Sequence, residues 1–243
     1  MLATLLLLAI VAFLSIWAIQ VQKDNEDVMI QDRKLSDVAK KMIAGILEIS
    51  KSLSAFGNRI PISYLRLVPH QEAPTNICWG DRNRSVLIRV PLGWTITRNM
   101  SDIANEQQES KYYAPVNKQT IEIRSADNSA NIFMFLAGLM IGAYRGLTDD
   151  KALEKAEEFY SDSNIFEREH NFEQLPASCV EAAEALEEQR HIFEENGVFS
   201  KKMLDMTINK LKSFNDKGLS EMLYGNNNQE ALRKLVEKYI YCG

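Results

Sequence analysis

The sequence predicts an α+β fold: a small antiparallel sheet, packed by a core helix and followed by a helical C-terminal region. Three observations predict it. A helix-periodic stretch opens at Ser36. Two short alternating stretches follow, at 85–91 and 119–125. From Asp149 onward the pattern is helical. The 243 residues, 46% of them hydrophobic, suffice for one sizeable core.

The first helix starts at Ser36, whose hydroxyl suits an N-cap. Val38, Met42, Ile46, Ile49 and Leu53 recur at spacings of three and four and form one apolar stripe. Gly57 and Asn58 end it, and Pro61, Pro69 and Pro74 mark turns. Residues 85–91 alternate as a strand, with Val86, Ile88 and Val90 on one face and Leu87 and Arg89 on the other. Residues 95–118 read as a long polar loop. Gln119 to Ser125 is a second strand, with Ile121 and Ile123 on one side and Glu122 and Arg124 on the other. Asp127 and Ser129 are cap candidates for a buried core helix from about Ala130 to Gly146, and Asn131 reads as a helix-start cap. Helical stretches near 150–160, 178–196, 200–213 and 228–241 complete the chain, separated by Pro176, Gly197 and a turn at 225–228. Glu184, Glu187, Glu188 and Arg190 read as a solvated face.

Residues 1–21 are uncharged and almost wholly apolar, long enough to cross a bilayer as a helix. They fit a cleavable signal poorly, because no Lys or Arg precedes the apolar run. Two readings stay open: a membrane anchor, or a leader left by truncation. Residues 22–34 are a polar linker, 35–147 the α+β part and 148–243 the helical region.

The 28 basic and 33 acidic residues give a net charge of −5, so no global field favours nucleic acid. Cys78, Cys179 and Cys242 form no C-x-x-C pair and read as reduced thiols of a cytoplasmic protein. His170, near Glu167, Glu169 and Glu173, reads as part of a solvated loop.

Between residues 66 and 124 lie Arg66, Arg82, Arg84, Arg89 and Arg124, with Glu72 and Glu122 among them. Guanidinium forks match phosphate and carboxylate oxygens, so several on one sheet face would hold a polyanion. The competing reading is a solvated strand face, with Arg82 a surface residue, Arg89 a structural ion-pair partner, and Trp79 and Trp94 packing residues. A carboxylate at Glu122 can hold a divalent ion, although one alone does not make a magnesium site.

Three strings resemble the glutamine synthetase family: SYLRLVPHQEAP (63–74), WGDRNRSVLIRVP (79–91) and IEIRSADNSANIFMFLAGLMIGAYRGL (121–147). They stand in family order, and the preceding LSDVAKKMIAGIL is also similar. The resemblance implies a ligase that joins ammonia to glutamate through a glutamyl phosphate made from ATP, with Mg2+ or Mn2+. It implies that Arg66 holds glutamate and that Glu72 is the flap carboxylate that takes a proton from ammonium. It places Arg84 and Arg89 at the ATP phosphates, Glu122 at a metal, and Arg124 at the transferred phosphoryl group. It also implies a homo-oligomeric ring.

Some positions depart from the family pattern. His70 and Gln71 replace Gly-Tyr, Ile62 replaces Asn, Thr120 stands where an arginine is usual, and Ile132 replaces proline. The family's N-terminal β-grasp domain, its further metal-binding glutamates and a Gly-rich stretch have no counterpart here. The expectation is therefore a truncated, largely inactive chain holding about half of a site. Two alternatives stand beside it: a membrane-anchored relative that binds nucleotide or a synthetase subunit without catalysis, and a ligase acting on another amine.

Overall fold

The computed structural model describes residues 35–67, 73–91, 120–165, 171–195, 197–225 and 229–241. Helix α1 (Asp37–Glu48) starts where the Ser36 hydroxyl accepts a hydrogen bond from the Ala39 N–H at 3.2 Å. It breaks at Ile49 and resumes as α2 (Ser50–Gly57), which is buried on nearly every side. A 3-10 turn, Pro61–Leu65, carries the chain to Arg66.

The sheet has three strands in the order β1 (Trp79–Asp81), β2 (Ile88–Val90) and β3 (Glu122–Ile123). The expectation of an antiparallel sheet is corrected here. β2 pairs antiparallel with β3, but β1 and β2 run parallel, Trp79 opposite Ile88 and Asp81 opposite Val90. Alternation reports which face a residue occupies and is silent on strand direction. The reversal lies in the loop 82–87. Arg82 takes the left-handed conformation, with φ at 54°, and its N–H donates to the Val90 carbonyl at 2.8 Å. The Ile88 N–H donates to the Cys78 carbonyl at 3.1 Å. The expected strand 85–91 thus shrinks to 88–90, and that at 119–125 to Glu122–Ile123.

Helix α3 (Ile132–Thr148) is capped by Asn131, whose Oδ1 accepts from the Met134 N–H at 3.1 Å. Asp127 is not the cap; it holds Ser129 in the preceding turn instead. Nor is α3 buried all round, as its composition suggests. Phe135, Gly138, Ile141, Gly142 and Gly146 face the core, while Phe133 is 87% exposed and Ile132 65%. α3 crosses α1 backbone to backbone. A Cβ added at Gly146 would lie 1.9 Å from the Lys41 carbonyl oxygen, and one at Gly45 2.2 Å from that of Gly142.

The helical region follows with α4 (Ala152–Glu158), α5 (Cys179–Glu188), α6 (Arg190–Glu194), α7 (Lys201–Lys212), α8 (Leu219–Gly225) and α9 (Gln229–Tyr239). The expected helix 178–196 is split at Gln189. At the start of α5, Ser178 Oγ accepts from the Glu181 N–H at 3.1 Å, and Glu181 Oε2 reaches back to accept from the Ala177 N–H, one residue before the N-cap, at 2.9 Å. Asp216 adds bonds to the Cys179 and Val180 N–H groups at 3.0 and 3.2 Å. The exposed Glu184 and Glu187 pair with Lys217 and Lys212, so that face is a charged surface as expected. One core contains Met42, Phe56 and Leu87 together with Leu186, Phe193 and Leu211. Among the described residues, no single helix is long and apolar enough to cross a membrane. The apolar stretch 1–21, the linker 22–34, the loop 95–118 with Trp94, His170 and Cys242 lie outside the described residues.

Candidate functional site

The site is built on β2 and β3. Their antiparallel register sets Arg89 opposite Glu122, and Arg89 Nη2 meets Glu122 Oε2 at 2.5 Å. Such a cross-strand pair, partly open to solvent, contributes about 0.2–1 kcal/mol. The period of two returns Arg124 to the same side, with its Nε 3.8 Å from Glu122 Oε1. Arg124 Nη1 also donates to the Arg84 carbonyl oxygen, which ties β3 to the loop that carries Arg84.

These residues open onto a cleft of about 830 Å3. Arg82, Arg84, Arg89 and Arg124 line it with Asp81, Glu122 and Asp162, one cation in excess. Arg82 pairs with Asp81 at 3.3 Å and is exposed, as a surface residue should be. Arg66 adds a further cation nearby. Its Nη1 donates to the Ala126 carbonyl at 3.1 Å, and its charge reaches Arg124. The Arg124 guanidinium is held below its ordinary pKa, first by burial and then by the charge of Arg89; Arg66 and Arg84 add to this, while Glu122 opposes it. An arginine stays charged at neutral pH, so Arg124 presents a cation at the cleft.

The structure therefore gathers Arg84, Arg89, Glu122 and Arg124 around one cleft and sets Arg66 beside it. Glu72, the candidate proton acceptor, lies outside the described residues, as do His70 and Gln71. Trp79 is a packing residue as expected: it is buried, and its indole N–H donates to the Ala156 carbonyl at 2.6 Å. The described residues do not make a metal site on their own. No three His, Cys, Asp or Glu side chains among them come together for an ion. Both Glu122 oxygens already face guanidinium groups.

Asn83, Ser85 and the segment 161–165 also shape the site. Asn83 and Ser85 stitch the loop: Asn83 Oδ1 accepts from the Ser85 N–H at 2.9 Å, and Asn83 Nδ2 donates to the Ser163 carbonyl at 2.8 Å. The Asn-x-Ser spacing is an available signal, since Asn side chains bond the backbone two residues on. The segment 161–165, which brings Asp162 and Asn164 to the cleft, carries no signal of its own.

Comparison with known proteins gives a consistent picture. The family model for the glutamine synthetase catalytic domain matches residues 14–218. That match begins inside the apolar N-terminal stretch and runs well past Leu147. The glutamine synthetase of Thermococcus kodakarensis is 34% identical over 198 residues, which cover 79% of this chain and 38% of the relative. The enzyme named glutamine synthetase in Pyrococcus furiosus is 32% identical over 208 residues, 83% of this chain and 40% of its own length. This chain thus spans about two fifths of the length of these relatives. A cryo-EM structure of Plasmodium falciparum glutamine synthetase shares the fold with a TM-score of 0.52 at 20% identity, over 75% of this chain and 39% of that one.

Proposed function

This chain belongs to the glutamine synthetase family through its catalytic domain, and from that premise we propose that it supplies the arginine-rich face of an ATP-dependent ligase site. The reaction is amidation of glutamate by ammonia through glutamyl phosphate. The glutamate side-chain oxygen takes the terminal phosphoryl group of ATP and ADP leaves; ammonia then attacks the acyl carbon and phosphate leaves. The observation that carries the reading is the cross-strand Arg89–Glu122 pair, with Arg124 alongside, at the wall of a net-cationic cleft. Phosphoryl transfer depends chiefly on positioning and charge neutralisation, which such a wall provides.

In this proposal Arg84 and Arg89 hold the ATP phosphates, and Arg124 steadies the phosphoryl group in flight. Arg66 binds the glutamate, and Glu72 takes the proton from ammonium. Glu122 lends an oxygen to Mg2+ or Mn2+, with the remaining ligands coming from phosphate oxygens, water and other carboxylates. For that, the Arg89 pair must loosen when the nucleotide arrives. A cytoplasmic, ring-forming assembly is part of the same proposal.

Calorimetric titration with MgATP tests it. We expect saturable binding by this chain, weakened about tenfold or more in an Arg89→Gln, Arg124→Gln variant. Unchanged affinity in that variant would remove the cleft from nucleotide binding. Phosphate release with glutamate, ammonia, ATP and magnesium is expected to be slow for the 243-residue chain alone. Its described residues bring no carboxylate cluster to the site. Rapid turnover would show that the metal ligands are already in place.

A further inference from the structure

A second cavity, of about 500 Å3, shares no lining residue with the arginine cleft. Met134 of α3 and Met203 and Met206 of α7 line it, with Phe214 just beyond α7. Two cations also line it, Arg59 just beyond α2 and Lys210 on α7. Neither has a carboxylate partner among the described residues. Lys210 Nζ lies 4.8 Å over the Phe214 ring, and the hydrogen bond that Arg59 makes runs from its backbone N–H to Ser129 Oγ at 2.9 Å. Nearby, Lys212, Lys217 and Arg190 each hold a carboxylate.

An apolar wall with two cations that hold no carboxylate among the described residues suits one kind of molecule. The volume is that of a small-ligand pocket. Thioether side chains adapt to varied apolar shapes. Met206 is 63% exposed and Met203 41%, so the wall is reached from solvent. The cations select charge, because an anionic head beside either of them gains a charge-assisted contact that a neutral or cationic head does not. We propose that this cavity binds a small amphipathic anion, an alkyl or aryl carboxylate with its apolar body against the methionines and its head toward Arg59 and Lys210. A volume of about 500 Å3 suits a small molecule better than a protein partner, which needs a broader surface.

Methionine methyl NMR on the full chain tests the proposal, with resonances assigned by single Met→Leu variants and octanoate, 1-octanol and octylammonium as probes. Octanoate is expected to shift the Met134, Met203 and Met206 signals saturably and to bind about tenfold tighter than octanol. The Arg59→Gln, Lys210→Gln variant should lose that preference at unchanged Tm, and Lys210→Arg should keep it. Equal response to octanol and octanoate would reduce the cavity to a plain apolar patch. Absence of any response, or shifts that include the buried core residue Met42, would overturn the site. A response to an acidic amphipathic peptide but not to octanoate would replace it with a protein-docking surface.

Discussion

Asn83 makes four hydrogen bonds from one side chain. Its Nδ2 donates to the Ser161 and Ser163 carbonyls at 3.3 and 2.8 Å, and its Oδ1 accepts from the Ser85 N–H and hydroxyl at 2.9 and 2.6 Å. Ser85 Oγ in turn accepts from the Ile165 N–H at 3.1 Å. The loop that presents Arg84 is thus fixed by a residue that carries no charge. Asn83→Ala leaves several of these groups unpaired, so we expect a loss of about 1–3 kcal/mol in urea unfolding. MgATP affinity should fall with it in the calorimetric titration. At this scale the arginines and Glu122 were legible from their chemistry and the period-two spacing. The role of Asn83 is only half legible: the Asn-x-Ser spacing points to its bonds with Ser85, but its carbonyl partners come from 78 and 80 residues away. The buried thiols give a second prediction. Burial pushes the Cys78 thiol up from 9.0 to about 12, and Cys179 is raised as well, by burial and by Asp216. Both stay protonated at pH 8, so alkylation of native protein should be slow at both and fast in denaturant. A thiol raised on folding stabilises fully below its unfolded pKa. That contribution is lost as pH rises from about 9 toward 12, at up to about 1.4 kcal/mol per pH unit for each thiol. Urea midpoints measured at pH 7, 9 and 10.5 should fall over the last interval.

Helices α1 and α3 show how an element can be recognised while its partner is not. The stripe Val38–Met42–Ile46 and the apolar run 132–144 identify two helices in the sequence. Nothing in their periodicity says that they meet through Gly45, Gly142 and Gly146. The crossing brings main chains into contact, so any Cβ there collides with backbone, which cannot swing aside as a side-chain tip can. Gly146→Ala and Gly45→Ala should each cost about 1–3 kcal/mol or more in chemical unfolding, despite alanine's better helix propensity. Gly197→Ala serves as the contrast. A Cβ there meets open space, and only its φ of 65° is unfavourable, so the cost should stay near about 1 kcal/mol. A neutral Gly146→Ala would mean that the two helices do not cross at this glycine. Direction within the sheet was illegible for a related reason. Alternation encodes faces, whereas the parallel β1–β2 pairing depends on the path of the loop 82–87, which includes the left-handed Arg82 and which composition does not single out.

On the scale of the whole molecule, the family-like strings end at Leu147, but the packing does not. Phe56 of α2 stacks on Phe199 with centroids 5.1 Å apart, and both meet Phe193 of α6 edge-on at 5.5 Å. Ser52 Oγ donates to the Ala185 carbonyl at 2.9 Å, and Gln189 Nε2 donates to the Glu48 carbonyl at 3.1 Å. Trp79 in the sheet donates to the Ala156 carbonyl at the end of α4. The match to the family's catalytic domain likewise runs to residue 218. A core shared in this way has few places to open locally, because loosening α5 or α6 exposes the aromatic faces of α2. Sheet and helical region are therefore expected to unfold together. In a Trp17→Phe, Trp94→Phe background, Trp79 fluorescence reports the sheet and far-UV circular dichroism reports the helices. Their urea transitions should share one midpoint. Phe193→Ala, which removes the centre of the trio, should cost about 3–5 kcal/mol and move both transitions equally. A circular-dichroism transition that moved while Trp79 stayed native would show that the helical region folds as a separate unit.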